Sequence, residues 1–367
     1  MKIVVNMDAL DAALGTASKI VTLKSTLAVL GHIRFKAVKD RLELYATNLE
    51  VEYFSVIGCD VETPGEMTLP AKDLAKMVGK LSARGGDLRI ESEENDWASL
   101  RAKSFKSRIG GGHTDDFPGM TDTSKMDLKE IDAAAFLRGI RHTMFCAYQG
   151  HDRDNLMGVY IQSSEGKTTF AATDGHRLAA CDIDVKTPFT NGFTLPSSSA
   201  KAVLDTFKGD HFLRVGLNDT VFVAEGTEAT VCGRLTEGEF PNFQESIMGY
   251  KGLRTTIDRR ELVDAVNLVS ITASRASYAV RLTFEDSTLN IYGSDPNGNK
   301  ESSLDIPAGE FAGVAKVGVN FGYLLEALNN LSCDVVDVQV TDTLSPIFIR
   351  PVDNPDDIVY VVMPMRL

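Results

Sequence analysis

A helix-start signature recurs three times in the chain, and each copy lies 126 residues after the last. The copies are Val5-Asn6, Ile131-Asp132 and Ile257-Asp258. Asn and Asp accept hydrogen bonds from the free amides of a first helical turn. The apolar residue before such a cap packs against a second apolar residue, which lies four positions after the cap. Those apolar partners are present as Leu10, Phe136 and Leu262. We therefore predict three equivalent helices of about 12–15 residues.

Each predicted helix leads into segments with the composition of β-strands. The first strand segments are 33–38, 158–162 and 280–284, and turn residues follow at 39–40, 164–166 and 285–287. Second strand segments begin at 42 and 289. Because the connections are short, they favour antiparallel hairpins over parallel crossovers.

The second half of the unit also recurs, at Leu69-Pro70, Leu195-Pro196 and Val319-Asn320. Apolar residues at helical spacing follow the first and third of these, at Leu74, Met77, Val78 and Leu81 and at Leu324, Leu328 and Leu331. We predict an α+β chain of three tandem domains near 1–122, 123–250 and 251–367. Each domain is expected to hold two helices and roughly eight antiparallel strands. Three unrelated domains with chance similarity are the alternative, and the equal spacing argues against it.

The segment Ala-Thr-Asp-Gly-His-Arg-Leu-Ala at 172–179 places a hydroxyl, a carboxylate and an imidazole within four residues. An enzyme is therefore one hypothesis. Weaker copies at 46–49 and 293–296 lack the histidine, so we interpret the segment as architecture. The six histidines show no metalloprotease spacing, and Gly110-Gly111-Gly112 is not followed by the Lys-Ser/Thr of a phosphate loop. We expect no catalytic site, no metal and no cofactor.

Cysteine usage and hydropathy bear on the compartment. The five cysteines are scattered without a C-x-x-C, which is typical of reduced thiols in a cytosolic protein. No apolar run approaches the length of a transmembrane helix, and the first residues do not form a signal peptide. A cytoplasmic location is expected.

Lysines form a stripe on the first domain's second helix, at Lys72, Lys76 and Lys80, opposite its apolar face. A solvated surface is the simpler interpretation of such a stripe. The chain as a whole carries a net charge of −13, however, so cations gathered on the repeated helices would stand out from an acidic background. Such a surface would attract phosphates without reading bases.

Taken together, the three repeats, the segment at 172–179, Phe240-Pro241 and the terminus Tyr360-Val361-Val362-Met363-Pro364-Met365-Arg366-Leu367 resemble the bacterial β sliding clamp family. This family supplies the non-catalytic processivity subunit of the replicative DNA polymerase. The resemblance implies a head-to-tail homodimer whose six domains close into a ring around duplex DNA. It also implies a cleft between the second and third domains that binds Gln/Leu/Phe-rich peptides of the polymerase, the clamp loader and other proteins. A protein-only repeat scaffold that never touches DNA is the alternative.

The resemblance implies three sets of site residues. The cleft set is Arg153, Leu156, Thr173, Gly175, His176, Arg177, Leu178, Pro241, Tyr278, Asn320, Tyr323, Leu344, Pro346, Val361, Val362, Met363, Pro364, Met365 and Arg366. The DNA-facing set is Lys24, Lys72, Lys76, Lys80, Arg138, Arg141, Gln149 and Lys201. The dimer set is Arg101, Lys103, Lys106, Arg108, Ile109, Ile271, Thr272 and Glu301. The family usually has tyrosine after the residue matching Arg153, whereas this chain has Asp154 and Asn155.

Overall fold

The computed structural model describes residues 1–22, 25–247, 252–273, 278–295, 297–354 and 357–366. The chain forms two compact units. Unit 1 comprises Met1–Ala134 and Ser198–Leu235, and unit 2 comprises Ala135–Ser197 and Thr236–Leu367. The middle third of the sequence therefore contributes to both units.

The described residues form helices and antiparallel strands throughout. The helices are α1 Met7–Ile20, α2 Ala71–Ser82, α3 Ala133–Thr143, α4 Ser197–Thr206, α5 Gln244–Ile247, α6 Arg259–Ser270 and α7 Phe321–Asn329. The strands are β1 Lys2–Asn6, β2 His32–Val38, β3 Arg41–Thr47, β4 Val51–Thr63, β5 Gly65–Pro70, β6 Asp87–Ser92, β7 Trp97–Ala102, β8 Phe105–Gly110, β9 Lys129–Asp132, β10 Gly158–Ser164, β11 Lys167–Thr173, β12 Arg177–Ile183, β13 Phe193–Pro196, β14 Phe212–Leu217, β15 Val221–Glu225, β16 Ala229–Arg234, β17 Leu253–Asp258, β18 Ala279–Ser294, β19 Glu301–Asn320, β20 Val335–Val340, β21 Ile347–Pro351 and β22 Ile358–Val362. Short 3₁₀ turns lie at Ala28–Gly31, Met144–Cys146 and Asp154–Leu156.

Unit 1 is built on one sheet that the long strand β4 holds together. Its order is β8-β7-β6-β1-β4-β16-β15-β14-β9, and β2, β3 and β5 branch from β4 through β3. The pairing of β4 with β16 places Val51 opposite Gly233. Strands from the first and second sequence repeats thus share a single sheet.

Unit 2 also joins strands of two repeats in one sheet, and it has a second, smaller sheet. Its larger sheet has the order β13-β10-β11-β12-β22-β21-β20-β17, and β18 pairs with β19 in a second sheet. The pairing of β12 with β22 places Arg177 opposite Val362. In both units, the strand that follows a Thr-Asn or Thr-Asp turn receives the last strand of the next repeat.

The helix caps predicted at Asn6 and Asp258 are present where the repeat placed them. Asn6 Oδ1 accepts from the backbone amides of Asp8 at 3.0 Å and Ala9 at 3.2 Å, and Asp258 accepts from the amide of Glu261 at 2.8 Å. The apolar residues four positions after the caps, Leu10, Phe136 and Leu262, are buried. One length differs from the prediction: α3 has 11 residues and ends at Thr143, because the chain continues as a 3₁₀ turn at Met144–Cys146.

Positive backbone φ marks each of the predicted turns, at Lys39 (58°), Glu165 (53°) and Asp286 (51°). The third turn nevertheless differs from the expected hairpin between two separate strands. β18 runs from Ala279 to Ser294, because both of its halves pair with the single strand β19. The pairing register shifts between Glu285 and Thr288, so the turn residues interrupt the ladder without ending the strand.

Two helical glycines in equivalent halves of the repeat are expected to respond oppositely to Gly→Ala. Alanine favours a helix over glycine by roughly 1 kcal/mol. A Cβ at Gly15 in α1 would meet nothing within 4 Å, whereas a Cβ at Gly139 in α3 would overlap the fully buried ring of Phe170. We expect Gly15→Ala to raise the free energy of unfolding by about 0.5–1 kcal/mol and Gly139→Ala to lower it by about 1–3 kcal/mol. Urea denaturation measures both, and equal shifts of the same sign would contradict the packing described.

His142 connects α3 to β22 in the interior of unit 2. Its Nδ1 lies 2.9 Å from the hydroxyl of Tyr360, whose side chain is 1% exposed. Burial, together with the nearby charges of Arg138 and Arg141, lowers the pKa of His142 from 6.5 to about 4. Between about pH 4 and pH 6.5, the native state therefore holds His142 as the neutral imidazole.

A pH dependence of stability follows from His142. Because the unfolded chain binds this proton and the native state does not, the free energy of unfolding should fall as the pH drops from about 6.5 toward 4. Carboxylates also titrate in this range, so the informative quantity is the difference between variants. We expect His142→Gln to flatten the dependence between pH 7 and 4.5, while His151→Gln, at an exposed histidine, leaves it unchanged. Parallel curves for all three proteins would contradict the assignment.

Candidate functional site

The turn between β11 and β12 uses the polar groups that suggested catalysis. Asp174 Oδ1 accepts from the backbone amides of His176 at 2.9 Å and Arg177 at 3.0 Å. Thr173 Oγ1 accepts from the amide of Gly175 at 3.1 Å and donates to the carbonyl of Arg177 at 2.6 Å. Gly175 has φ 87°, a conformation that glycine adopts without strain. The hydroxyl and the carboxylate are therefore parts of the turn.

The same hydrogen bonds form in unit 1 without a histidine. Asn48 Oδ1 accepts from the amides of Glu50 at 3.0 Å and Val51 at 2.8 Å. Thr47 Oγ1 accepts from the amide of Leu49 at 2.9 Å and donates to the carbonyl of Val51 at 3.0 Å. The interpretation of the segment as architecture is thus confirmed for these two copies. The third copy, at 293–296, falls partly outside the described residues.

A pocket of about 180 Å³ opens beside the turn in unit 2, lined by His176, Asn320, Tyr323, Met363, Pro364 and Met365. Two backbone hydrogen bonds hold its C-terminal wall, from the Met363 amide to the His176 carbonyl at 2.9 Å and from the Met365 amide to the Gly318 carbonyl at 2.8 Å. The rings of His176 and Tyr323 stack with an interplanar angle of 17°. The sequence therefore folds six of the predicted cleft residues around one concave surface.

Asn320 positions the α7 side of this pocket. Its side-chain oxygen accepts from the amides of Gly322 at 2.8 Å and Tyr323 at 3.3 Å, which caps the helix. Met363 is 44% exposed, so its flexible thioether side chain is available to a ligand. The wall thus combines a fixed helix start with an adaptable side chain.

A buried apolar cluster joins β12 to β22, the strand that leads into the C-terminal wall of the pocket, and some of its residues lie outside the predicted cleft set. Leu178 and Val361 belong to a buried cluster that includes Phe243, and Phe240 and Ile247 pack against it. The sequence does indicate a shared apolar face here, because Phe240, Phe243 and Ile247 follow one another at spacings of three and four residues. The segment around α5 therefore packs against the strands β12 and β22.

The remaining predicted cleft residues belong to unit 2. Leu344 and Tyr278 are exposed, at 75% and 48%, and the guanidinium of Arg153 lies 5.4 Å from the ring centre of Tyr148. Leu156 is buried, Pro241 and Arg366 are exposed, and Pro346 is half-buried. Val362 is buried opposite Arg177 in the β12–β22 pair. None of these residues lines the 180 Å³ pocket.

Arg177 is 9% exposed and every nitrogen of its guanidinium has a partner. Its Nε lies 3.1 Å from Asp174 Oδ2, its Nη2 donates to the carbonyl of Phe145 at 2.8 Å, and its Nη1 donates to Glu326 Oε2. The sequence analysis did not single out Glu326 or Phe145. The burial of Arg177 separates it from the exposed Arg153 and Arg366.

A second and larger cavity lies in unit 1, among α1, α2 and α4. It measures about 740 Å³, and its lining includes Lys19, Lys72, Lys76 and Lys201. Lys19 pairs with Asp205 at 3.3 Å, whereas the other three lysines form no ion pair with any carboxylate in the described part of the chain. Lys80 is also exposed on α2. Three of the predicted DNA-facing lysines thus converge on one surface, and Lys19 joins them.

The other predicted DNA-facing residues differ from one another in exposure and in hydrogen bonding. Arg138 Nη2 donates to the carbonyl of Asp182 at 3.2 Å and lies 3.4 Å from the carboxylate of Asp357. Arg141 is exposed, and the Gln149 side chain donates to the carbonyl of Ala147 at 3.1 Å. Lys24 lies outside the described residues.

The residues predicted for a dimer interface occupy both units. In unit 1 they lie on and near β8, which ends the sheet order and, among the described strands, pairs with β7 alone. Arg108 of this strand pairs with Glu93 at 2.7 Å and lies over the Trp97 ring. Arg101, Lys103 and Lys106 are exposed, and Ile109 is half-buried. In unit 2, Ile271 is 73% exposed, Thr272 is half-buried and the Glu301 carboxylate accepts from the Tyr292 hydroxyl at 2.9 Å.

The described residues show neither a metal-ligating cluster nor a membrane-spanning helix. Among the described residues, no three His, Cys, Asp or Glu side chains are grouped so that they could hold a metal ion. Within the same residues, no helix has both the length and the apolar character needed to cross a membrane.

Comparison with known proteins covers the whole chain. Family models of the DNA polymerase III beta subunit match 1–121 with the N-terminal domain, 130–242 with the central domain and 251–366 with the C-terminal domain. The beta sliding clamps of Synechococcus elongatus and Pseudomonas aeruginosa are 26% and 27% identical to this chain over the full length of both proteins.

Solved structures agree with these relatives. The DNA polymerase III subunit beta of Pseudomonas aeruginosa superposes with a TM-score of 0.91 at 26% identity, covering all of both chains. A sliding clamp from the same organism bound to griselimycin gives the same TM-score, identity and coverage. The predicted α+β clamp fold is confirmed. The chain belongs to the DNA polymerase III beta subunit family, and it is a DNA sliding clamp and processivity factor rather than an enzyme.

Proposed function

We propose that two copies of this chain close head to tail into a six-domain ring around duplex DNA in the cytoplasm. The ring slides without sequence preference and tethers the replicative polymerase, the clamp loader and other proteins that carry a Gln/Leu/Phe-rich peptide. The convergence of Lys72, Lys76 and Lys201 on one surface of a chain with net charge −13 carries this proposal. We retain 1–122, 123–250 and 251–367 as the domain boundaries, which the spans of the three family models support.

The electrostatics favour DNA over a protein-only scaffold. Unpaired lysines on helices attract the phosphate backbone and displace its counterions, and they carry no information about base sequence. The acidic remainder of the chain would repel DNA from the other surfaces. A sliding protein needs this combination, since tight or base-specific contacts would stop it. Lys24, Lys80, Arg138, Arg141 and Gln149 complete the proposed DNA-facing set.

Ring closure is supported by the chemistry of two exposed surfaces. A head-to-tail contact joins different patches of the two copies, so it must close or it forms filaments. β8 offers an edge strand with free backbone groups and basic side chains, and the exposed Ile271 offers an apolar anchor. Leu268, 57% exposed one turn earlier on α6, extends that anchor. We propose these surfaces, with Arg101, Lys103, Lys106, Arg108, Ile109, Thr272 and Glu301, as the dimer contacts.

The peptide cleft is supported by the pocket in unit 2. Its lining offers an imidazole, a phenol and two methionines, which suits a short peptide with both amide and apolar side chains. The Pseudomonas aeruginosa clamp with which this chain superposes binds griselimycin. We propose that griselimycin binds this cleft as well.

Neutralising the converging lysines should weaken DNA binding and reduce the dependence of that binding on salt. For Lys72→Gln, Lys76→Gln and Lys201→Gln together, we expect the slope of log K against log salt to fall by about 2–3, because each lost phosphate contact removes about 0.9. Affinities for two duplexes of unrelated sequence should fall equally. Fluorescence anisotropy between 25 and 200 mM salt provides the measurement.

The matched control removes three exposed lysines elsewhere, Lys39, Lys125 and Lys186. An unchanged slope in the first variant, or an equal change in the control, would contradict the proposed DNA surface. Retention on circular DNA provides the second comparison. A loaded clamp should stay on a nicked circle and leave once the circle is cut, whereas a protein-only scaffold is retained on neither.

Removing residues 363–367 should abolish partner binding without disrupting the dimer. The truncation deletes Met363, Pro364 and Met365 from the pocket but leaves β22 paired with β12. We expect loss of griselimycin binding by calorimetry, together with an unchanged sedimentation coefficient. The double variant Met363→Ser, Met365→Ser should weaken binding in the same direction. Full affinity after truncation would show that the ligand binds elsewhere.

A further inference from the structure

We propose that Arg177 and Glu326 position the two walls of the cleft pocket, and that the buried Arg177 does not itself contact the bound peptide. This inference rests on the proposed peptide-binding function and names the residues that set the pocket's shape. It assigns a role to Glu326, which lies outside the predicted cleft set, and it changes the role expected of Arg177.

The guanidinium of Arg177 has little capacity left for a ligand. Its side chain is 9% exposed, and its nitrogens are engaged by the Asp174 carboxylate, the Phe145 carbonyl and Glu326. An arginine that captures a peptide carboxylate needs a free pair of parallel donors. Arg177 therefore differs from a rim residue in both exposure and pairing.

The partners of Arg177 belong to both walls of the pocket. Asp174 and Arg177 lie in the turn that carries His176, which forms one wall. Glu326 lies on α7 one turn after Tyr323, which forms the other wall. The guanidinium carbon also lies 4.5 Å from the centre of the Tyr323 ring, a cation–π distance. One side chain thus fixes the turn against the helix from behind the pocket.

The equivalent turn of unit 1 shows that the turn does not require an arginine. Val51 occupies the position of Arg177 and is 2% exposed, and the backbone hydrogen bonds around it are the same. Burying a guanidinium costs free energy that its partners must offset, whereas burying valine does not. The network of Arg177, Asp174 and Glu326 in unit 2 is therefore not needed to form the turn. It contacts the two elements that form the pocket walls.

A positioning role makes a specific prediction for the carboxylate. Glu326→Gln preserves the size of the side chain but replaces a charge-assisted hydrogen bond with a weaker one. We expect peptide affinity to fall on the order of tenfold, because the weaker bond loosens the contact between α7 and the turn. Arg177→Lys keeps the charge but loses the planar fork that reaches three acceptors, so it should weaken binding similarly. The double variant should be no weaker than either single variant, because both break one network.

The experiment uses the full-length protein and a fluorescein-labelled synthetic peptide composed of Gln, Leu and Phe. Anisotropy gives the affinity of each variant, and ¹³C-methyl NMR of the free protein reports on Met363 and Met365 in the pocket wall. The control is Glu285→Gln, which removes an exposed carboxylate from β18. The expected result is a tenfold loss and shifted Met363 and Met365 methyl signals for Glu326→Gln, and neither change for the control.

Three outcomes would overturn the inference. Glu326→Gln could bind the peptide as wild type does, or Arg177→Lys could weaken binding while the methionine signals stay in place, as a direct peptide contact predicts. Additive losses in the double variant would also contradict a shared network. A wild-type protein that does not bind the peptide contradicts the proposed function itself, so the two failures are distinguishable. Glu326→Gln keeps the test valid even if Arg177→Lys fails to fold.

Discussion

Cross-repeat strand pairing is the interaction on which the rest of the structure depends. In unit 1, β16 of the second repeat pairs with β4 of the first, and in unit 2, β22 of the third repeat pairs with β12 of the second. Each pairing completes a sheet that neither repeat closes alone. It also brings Met363 beside the turn at 174–176, so the 180 Å³ pocket forms where the last strand joins the second repeat's sheet.

Much of this architecture could be predicted from local sequence. The caps at Asn6 and Asp258, the buried residues four positions later and the turns at Lys39 and Glu165 follow from short-range chemistry, which a repeat displays more than once. The continuous β18 could not be predicted in this way, because its continuity depends on β19, a partner farther along the chain. Local propensity indicates where a turn lies, while long-range pairing decides whether the strand ends there.

As with the fold, the sequence predicted some residues of the candidate site and missed others. Residues near a recognisable motif, such as His176 and Met363, line the pocket as expected, because backbone pairing fixes their position. Phe243 and Glu326 were missed for different reasons. Phe243 joins the cluster of Leu178 and Val361 just before the short helix α5, where a spacing of three and four residues is the only local indication. Glu326 contacts the turn through a buried arginine whose partners no spacing rule reveals. Tertiary contacts of this kind are set by three-dimensional proximity rather than by periodicity.

The sharing of the middle repeat between two sheets has a consequence for dissection of the molecule. A fragment cut at 123 and 250 would carry β16 without β4 and β12 without β22, leaving two long ladders of unsatisfied amides and carbonyls. Exposed edges of this kind recruit other chains into aggregates. The repeat is thus a unit of sequence but not of autonomous folding, and a soluble excised piece would have to take its neighbours' strands with it.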